Sequence, residues 1–143
     1  MSTRPRVYAA HPVPSYGTGY ERRCLAAIRR LVPGAELLNP ARMFASSDDW
    51  RDRWPEVLDD IDGLVLFPDE RGAVGSGCLV EIVDAHRLLV PVGLLVPGDG
   101  CLHRLAGLGF PVLPTPRDAA RPVAGDVLTW QVTPRPPRIR EAP

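Results

Sequence analysis

The sequence predicts an α/β fold built on a mainly parallel sheet of four to five strands. Short apolar segments alternate with stretches of helical spacing from residue 6 to residue 96, which is the pattern of strand–helix–strand units. One segment, residues 91–96, is almost continuously apolar, as expected of a strand covered on both faces. A chain of 143 residues is also long enough for one domain with a sizeable core.

The individual elements follow from local pattern. The first strand is Arg6–Ala10, ended by His11-Pro12, and Pro33-Gly34 stops the helix that precedes the second strand. The segment Ser47-Asp48-Asp49 is predicted to cap the second helix. Spacing of apolar residues then predicts strands at 6–10, 35–38, 63–67 and 91–96, and helices at 18–31, 47–61 and 77–89.

The pattern weakens beyond residue 97. Residues 102–108 indicate a short helix, and residues 110–113 a fifth strand. Residues 126–132 alternate as an edge strand does, and a proline- and arginine-rich tail follows. We therefore assign residues 1–117 to the α/β domain and residues 118–143 to a C-terminal extension.

Composition excludes several classes of function. The formal net charge is zero, so nothing draws the chain as a whole to nucleic acid or to an anionic membrane. Three cysteines without CxxC spacing argue against a disulfide framework and against a zinc site. No segment approaches the ~20 apolar residues of a membrane helix, and no secretory signal is recognisable. We expect a cytoplasmic protein with no membrane or nucleic-acid partner.

The most informative stretch runs from the strand at 63–67 through a loop into the third helix. Glu81 lies just over one turn into that helix, near its positive end and at the sheet edge where α/β folds bind ligands. We expect its carboxylate to be ionised, which suits a nucleophile or a group that stabilises an oxocarbenium-like sugar. The alternative is a surface glutamate favoured by the helix N-terminus.

A family resemblance rests on an ordered set of motifs. The set resembles the nucleoside 2-deoxyribosyltransferase superfamily, which includes nucleotide N-glycosidases, and it comprises VYAAHP at 7–12, LNP at 38–40, IDGLVL at 61–66, GCLVEI at 77–82 and PV at 91–92. The resemblance covers residues 6–96. It implies a flavodoxin/Rossmann-like three-layer sandwich, no metal or organic cofactor, and an active site often completed by a neighbouring subunit, hence a homo-oligomer of two or more chains.

The resemblance also assigns roles to matching residues. Glu81 matches the catalytic glutamate that attacks the anomeric carbon, and Tyr8 matches an aromatic residue that orients it. Gly75, Ser76 and Gly77 match the turn that approaches the sugar or its 5′ substituent. Independently of the resemblance, Tyr8 on a central strand also fits a core tyrosine with a satisfied hydroxyl.

The chain departs from the family at the position of an acid. Catalytic members carry an aspartate eight residues before the aspartate that opens the third strand, and counting back from Asp62 gives Trp54. An indole stacks on a nucleobase, so we expect Trp54 to bind substrate, but it cannot supply a proton. Asp69 and Glu70 lie at the productive sheet edge, and we take Asp69 as the replacement acid.

Three further side chains are predicted to contact substrate because they follow strands at the same edge: His11, Tyr16 and Asn39. Each has a structural alternative. His11 fits a loop-capping role, Tyr16 can pack on the first helix, and Asn39 can cap a turn.

Taken together, these residues predict cleavage or transfer of the N-glycosidic bond of a nucleoside or nucleoside monophosphate, as a hydrolase or a transferase of nucleotide metabolism. A non-catalytic nucleotide-binding or sensor domain on the same fold is the alternative, and the departure at Trp54 motivates it. The Gly-x-x-x-Glu spacing also occurs in phosphoribohydrolases that act on cytokinin-type nucleotides. The chain lacks the full glycine-pair and arginine signature of those enzymes.

Overall fold

The computed structural model describes residues 4–109 and 120–136. Within these ranges its strands form one six-stranded mixed sheet in the order β2-β1-β3-β4-β5-β6. The first four strands in this order are mutually parallel, and β5 pairs antiparallel with both β4 and β6. The strands are β1 Arg6–Ala10, β2 Glu36–Leu38, β3 Gly63–Leu66, β4 Val92–Val96, β5 Cys101–Leu108 and β6 Pro122–Val127.

In the part of the chain that the structure describes, four α-helices accompany the sheet, and side chains cap three of them. Thr18 accepts the backbone N–H of Glu21, Ser46 accepts that of Asp49, and Asn39 accepts that of Ala41. The fourth begins after Gly75 with no side-chain cap. The helices are α1 Gly19–Leu31, α2 Pro40–Met43, α3 Ser47–Asp60 and α4 Ser76–Arg87.

Helices cover both faces of the sheet because side chains alternate along the central strands. On one face Val7 and Val65 pack with Ile28 of α1. On the other, Tyr8 and Leu64 pack with residues of α3 and α4. A core on each side of β1 and β3 explains why both strands, apart from Arg6 at the start of β1, are buried and apolar or nearly so.

The strand order creates a crevice at the carboxyl edge of the sheet. From β1 the chain proceeds to α1 on one face, whereas from β3 it proceeds to α4 on the other. Neighbouring loops that leave in opposite directions open a gap between them, which is where open α/β sheets bind ligands. The gap lies between β1 and β3.

The sheet is larger than predicted, and it is mixed where a mainly parallel sheet was expected. Residues 102–108, predicted to be helical, form β5, which turns back on β4 through Gly100 at a φ of +66°. Register irregularities between His103 and Gly107 break the alternation that marks a strand in sequence. Because apolar residues then fall three apart, the segment reads as a helix.

The C-terminal edge strand lies earlier than predicted, at 122–127 in place of 126–132, and it belongs to the same sheet as β1–β5. Leu128 still donates to Leu102 of β5, and beyond it the Trp130 ring lies against β3 and β4. The predicted strand at 110–113 and the end of the tail, 137–143, lie outside the described residues. None of the helices in the described ranges has the length and apolar character needed to cross a bilayer.

Candidate active site

The crevice widens into a cavity of about 1050 Å³. The loop that follows β1 forms one wall, the residues around α2 and the start of α3 form a second, and the loop after β3 with the first turns of α4 forms the third. Side chains and backbone that bear on its chemistry are His11, Tyr16, Trp50, Arg51, Asp69, Arg71, Gly75, Ser76, Gly77, Cys78 and Glu81. The cavity therefore gathers most of the residues that the sequence predicted to act together.

Glu81 lies on the inner face of α4 and lines this cavity, although the residue as a whole is only 5% exposed. Its Oε2 accepts hydrogen bonds from the hydroxyl of Tyr8 and, at 3.1 Å, from the indole Nε1 of Trp50. Its Oε1 accepts none from the residues that the structure describes. One carboxylate oxygen is held by two donors and the other is available for other contacts.

Burial raises the pKa of Glu81 from its ordinary value of 4.5 to about 7. The hydrogen bonds from Tyr8 and Trp50 oppose this rise, and the nearby charge of Asp84 adds to it. The sequence suggested a carboxylate kept ionised by the helix N-terminus, but desolvation outweighs that effect because the side chain is removed from water. Near pH 7 the ionised and protonated forms coexist.

Tyr8 is completely buried on β1 and donates its hydroxyl hydrogen to Glu81. Burial and the adjacent carboxylate raise the pKa of Tyr8 far above its ordinary range, so the phenol remains a donor at every physiological pH. The structure thus brings together the pair that the resemblance matched. Trp54 packs its ring against Tyr8, with centroids 5.0 Å apart, and supports it from the core.

Trp54 does not line the cavity, contrary to the prediction that it binds substrate. It is 4% exposed, and its indole N–H donates to Asp84 at 3.0 Å. Trp50, one turn earlier on α3, lies on the cavity wall in its place. A helix that follows a parallel strand begins at the carboxyl edge, so the residue nearer the start of α3 is the one that reaches the cavity. That signal was present in the sequence.

His11 forms part of the wall, and both of its ring nitrogens are engaged. Nδ1 donates to the carbonyl of Ala9 at 2.8 Å, and Nε2 lies 2.7 Å from the buried carboxylate of Glu21. Glu21 also accepts the backbone N–H of Gly17 at 3.2 Å. The ring stacks on Phe67 with centroids 4.4 Å apart. His11 thus anchors the loop after β1, as its structural alternative proposed, while it still borders the cavity.

Tyr16 lies on the same loop and is half-buried, with its ring edge-on to His11 at 4.9 Å. Within the described ranges its hydroxyl makes no hydrogen bond. Burial, with the charge of Glu81 nearby, raises the pKa of Tyr16 above its ordinary value. A neutral phenol with an unused hydrogen-bonding group therefore borders the cavity near the carboxylate.

Asp69 lines the cavity and also shapes its own loop. Its Oδ1 accepts the backbone N–H groups of Arg71 and Ala73, both at 2.9 Å, around Gly72 at a φ of +83°. Oδ2 accepts none from the described part of the chain. Asn39, by contrast, does not border the cavity, because its side chain caps α2. That outcome matches the alternative stated for it.

The turn at Gly75–Gly77 presents the N-terminus of α4 to the cavity. Without a capping side chain, its first N–H groups remain available to a ligand oxygen. Arg71 borders the same region and forms no ion pair with residues 4–109 or 120–136, whereas Arg51 pairs with Asp48 at 3.3 Å. No cluster of three or more potential metal ligands exists in the described residues.

The chain was compared with protein-family models, with curated proteins and with solved structures, and nothing matched.

Proposed function

We propose that the protein cleaves or transfers the N-glycosidic bond of a nucleoside or nucleoside monophosphate, with Glu81 acting at the anomeric carbon. One observation carries the proposal: a buried carboxylate, with one oxygen held by Tyr8 and Trp50, borders a cavity large enough for a nucleotide. Helices on both faces of β1–β4 agree with the flavodoxin/Rossmann-like core that the resemblance implies.

The chemistry needs an ionised carboxylate beside the sugar. As the bond between C1′ and the base nitrogen breaks, its electron pair leaves on the base, which takes up a proton. Glu81 bonds to C1′ or stabilises the cationic sugar, and water or a second base then completes the reaction. Asp69 is the acid we assign to the leaving base, because among the described residues it is the other carboxylate that borders the cavity.

Arg71 and the N-terminus of α4 favour a phosphorylated substrate. A 5′-phosphate near Gly75–Gly77 would meet free backbone N–H groups, the hydroxyl of Ser76 and a guanidinium that has no ion pair within the described residues. We therefore expect nucleoside monophosphates to be better substrates than nucleosides.

The test is to incubate the protein with a panel of ribo- and deoxyribonucleosides and their monophosphates. The free base that is released is measured by chromatography. We expect release by the wild-type protein and a loss of at least about a hundredfold in Glu81→Gln. Glu56→Gln is the matched control, because Glu56 is an exposed glutamate on α3. Absence of release by wild type, or equal release by Glu81→Gln, contradicts the proposal.

A non-catalytic nucleotide-binding domain is the second candidate, and one observation favours it. Trp54 occupies the position of the family's acid and is buried against Tyr8 and Asp84. In that case a monophosphate should raise the melting temperature, because a ligand that binds only the native state stabilises it. Stabilisation without base release would select this candidate over the enzyme.

A further inference from the structure

Two donors from different elements converge on one oxygen of Glu81. Tyr8 reaches Oε2 from β1, and Trp50 reaches the same atom from α3 at 3.1 Å. The sequence did not predict the second contact, since it placed Trp54 in the site. A carboxylate group that receives one hydrogen bond can still rotate about its terminal bond, because that torsion is broad. Two donors on one oxygen restrict this rotation.

We infer that Trp50 is a positioning residue that, together with Tyr8, holds Oε2 of Glu81 so that Oε1 is the oxygen presented to the anomeric carbon. The inference deepens the proposed function and rests on it for the identity of the reacting centre. The geometry itself does not depend on the reaction, because both hydrogen bonds join side chains of the chain itself. Trp50 also borders the cavity, so its indole forms part of the wall beside the reacting group.

A hydrogen bond from Trp50 also favours the ionised form of Glu81 and lowers its pKa. Among the described residues, the other titratable or charged groups that act on this carboxylate or border the cavity with it are Tyr8, Tyr16, Cys78, Asp84, His11, Asp69, Arg51 and Arg71. Only Tyr8 and Trp50 donate hydrogen bonds to it within the described residues. Loss of the indole donor should therefore change the titration of Glu81 in a defined direction.

The decisive experiment observes the carboxyl carbon of Glu81 by NMR as the pH is varied, with its signal assigned by comparison with Glu81→Gln. In Trp50→Phe, which keeps an aromatic ring but lacks the N–H, we expect the titration midpoint to rise by about one pH unit. Trp50→Gln should restore part of this change, because its amide nitrogen lies the same number of bonds from Cα. Trp130→Phe is the control, since Trp130 lies on the opposite face of the sheet.

The wild-type protein supplies a second readout that needs no variant at Trp50. The indole N–H signal of Trp50 should shift with the same midpoint as the Glu81 carboxyl carbon, whereas that of Trp130 should not. An unchanged midpoint in folded Trp50→Phe, or an indole signal of Trp50 that ignores the titration, overturns the inference.

Kinetic measurements distinguish a positioning role of Trp50 from simple contact with substrate. If base is released, Trp50→Phe should lower kcat more than it raises KM, because substrate still binds while the carboxylate is misaligned. A loss confined to KM would mean that Trp50 only contacts substrate and would overturn the positioning role. If no protein releases base but the titrations behave as expected, the proposed reaction fails while the hold on Oε2 stands.

Discussion

Glu81 combines two properties that oppose each other. Its side chain is buried, which disfavours the carboxylate, and its proposed reaction requires the carboxylate. Tyr8 and Trp50 reduce this conflict by donating hydrogen bonds to Oε2, but they leave the pKa at about 7. Above that pH the folded protein holds a buried charge. A buried carboxylate with a raised pKa is typical of functional sites, where it lowers the stability of the fold.

We predict that Glu81→Gln stabilises the protein in a pH-dependent way. The pKa of Glu81 is raised in the folded state, so its contribution to stability falls as pH rises from the unfolded value of 4.5 through about 7. That difference corresponds to about 3 kcal/mol at most. Urea unfolding should therefore show a gain of about 2 kcal/mol at about pH 8 and little gain at about pH 4.5. A gain that does not vary with pH, or no gain at all, contradicts the raised pKa of Glu81. The control Glu56→Gln should leave the free energy of unfolding unchanged at both pH values.

Tyr16, in the loop before α1, and Tyr20, in the first turn of α1, offer a matched pair for separating function from stability. The Tyr16 hydroxyl has no partner within the described ranges, whereas the Tyr20 hydroxyl donates to the carbonyl of Pro68. We predict that Tyr16→Phe leaves the melting temperature unchanged and weakens turnover or nucleotide binding about three- to tenfold. Tyr20→Phe should instead destabilise the fold by about 1 kcal/mol, because it leaves a buried carbonyl without its donor. The reverse pattern would remove Tyr16 from the site.

Motif order and the sheet edge predicted that Glu81 and Tyr8 lie together, and the structure places them in hydrogen-bond contact. The sequence did not identify the pKa of Glu81, since burial depends on α3 and β1 packing over α4. It also predicted Trp54 to contact substrate, whereas the structure places Trp50 on the cavity wall. The choice between the two depends on which turn of α3 overhangs the crevice, and counting residues from a family motif does not contain that information.

At the scale of elements, the loop from Pro68 to Val74 contains a fixed turn and also forms part of the cavity wall. Asp69 fixes its turn through Oδ1 and borders the cavity, so one side chain serves both. A general acid must exchange a proton, whereas a turn needs only an oxygen that accepts N–H groups. Because asparagine retains such an oxygen but has no acidic proton, substitution separates the two roles.

We predict that Asp69→Asn keeps the melting temperature within a few degrees of wild type but lowers base release at least about tenfold. Asp69→Ala should lose stability as well, by about 1 kcal/mol, because two backbone N–H groups lose their acceptor. Thermal denaturation and base release measured on both variants decide the matter. Full activity in Asp69→Asn would mean that Asp69 only shapes the loop. The proton for the leaving base would then have to come from another donor.

The elements that the sequence predicted well are those with local signals. The first four strands and the helices α1, α3 and α4 have regular spacing and recognisable ends. β5 was misread because its register irregularities hide alternation, and β6 because its pairing depends on a partner distant in sequence. α2 is a single short turn begun by Asn39-Pro40, too brief to produce a periodic pattern.

At the scale of the whole molecule, the segment at 128–136 crosses the sheet and ties its far edge to its centre. Leu128 is still bonded to β5, Trp130 packs over β3 and β4, and the backbone N–H of Arg135 donates to the largely buried Asp62 at 2.6 Å. α1 covers one part of this face and the segment at 128–136 covers another. The antiparallel strands thus bring the C-terminal chain back onto the parallel core.

The glycines beneath Trp130 make this arrangement testable. A Cβ at Gly63 would lie 2.9 Å from the indole ring, closer than packed atoms tolerate, so Gly63→Ala must displace Trp130. We predict a loss of about 2 kcal/mol in the free energy of unfolding, together with a changed Trp130 fluorescence. Gly98→Ala is the matched control, because a Cβ there meets nothing within 4 Å and its φ is not positive. A neutral Gly63→Ala would mean that residues 128–136 do not pack over the sheet, whereas the expected loss, with base release retained, would separate this face from the cavity on the other.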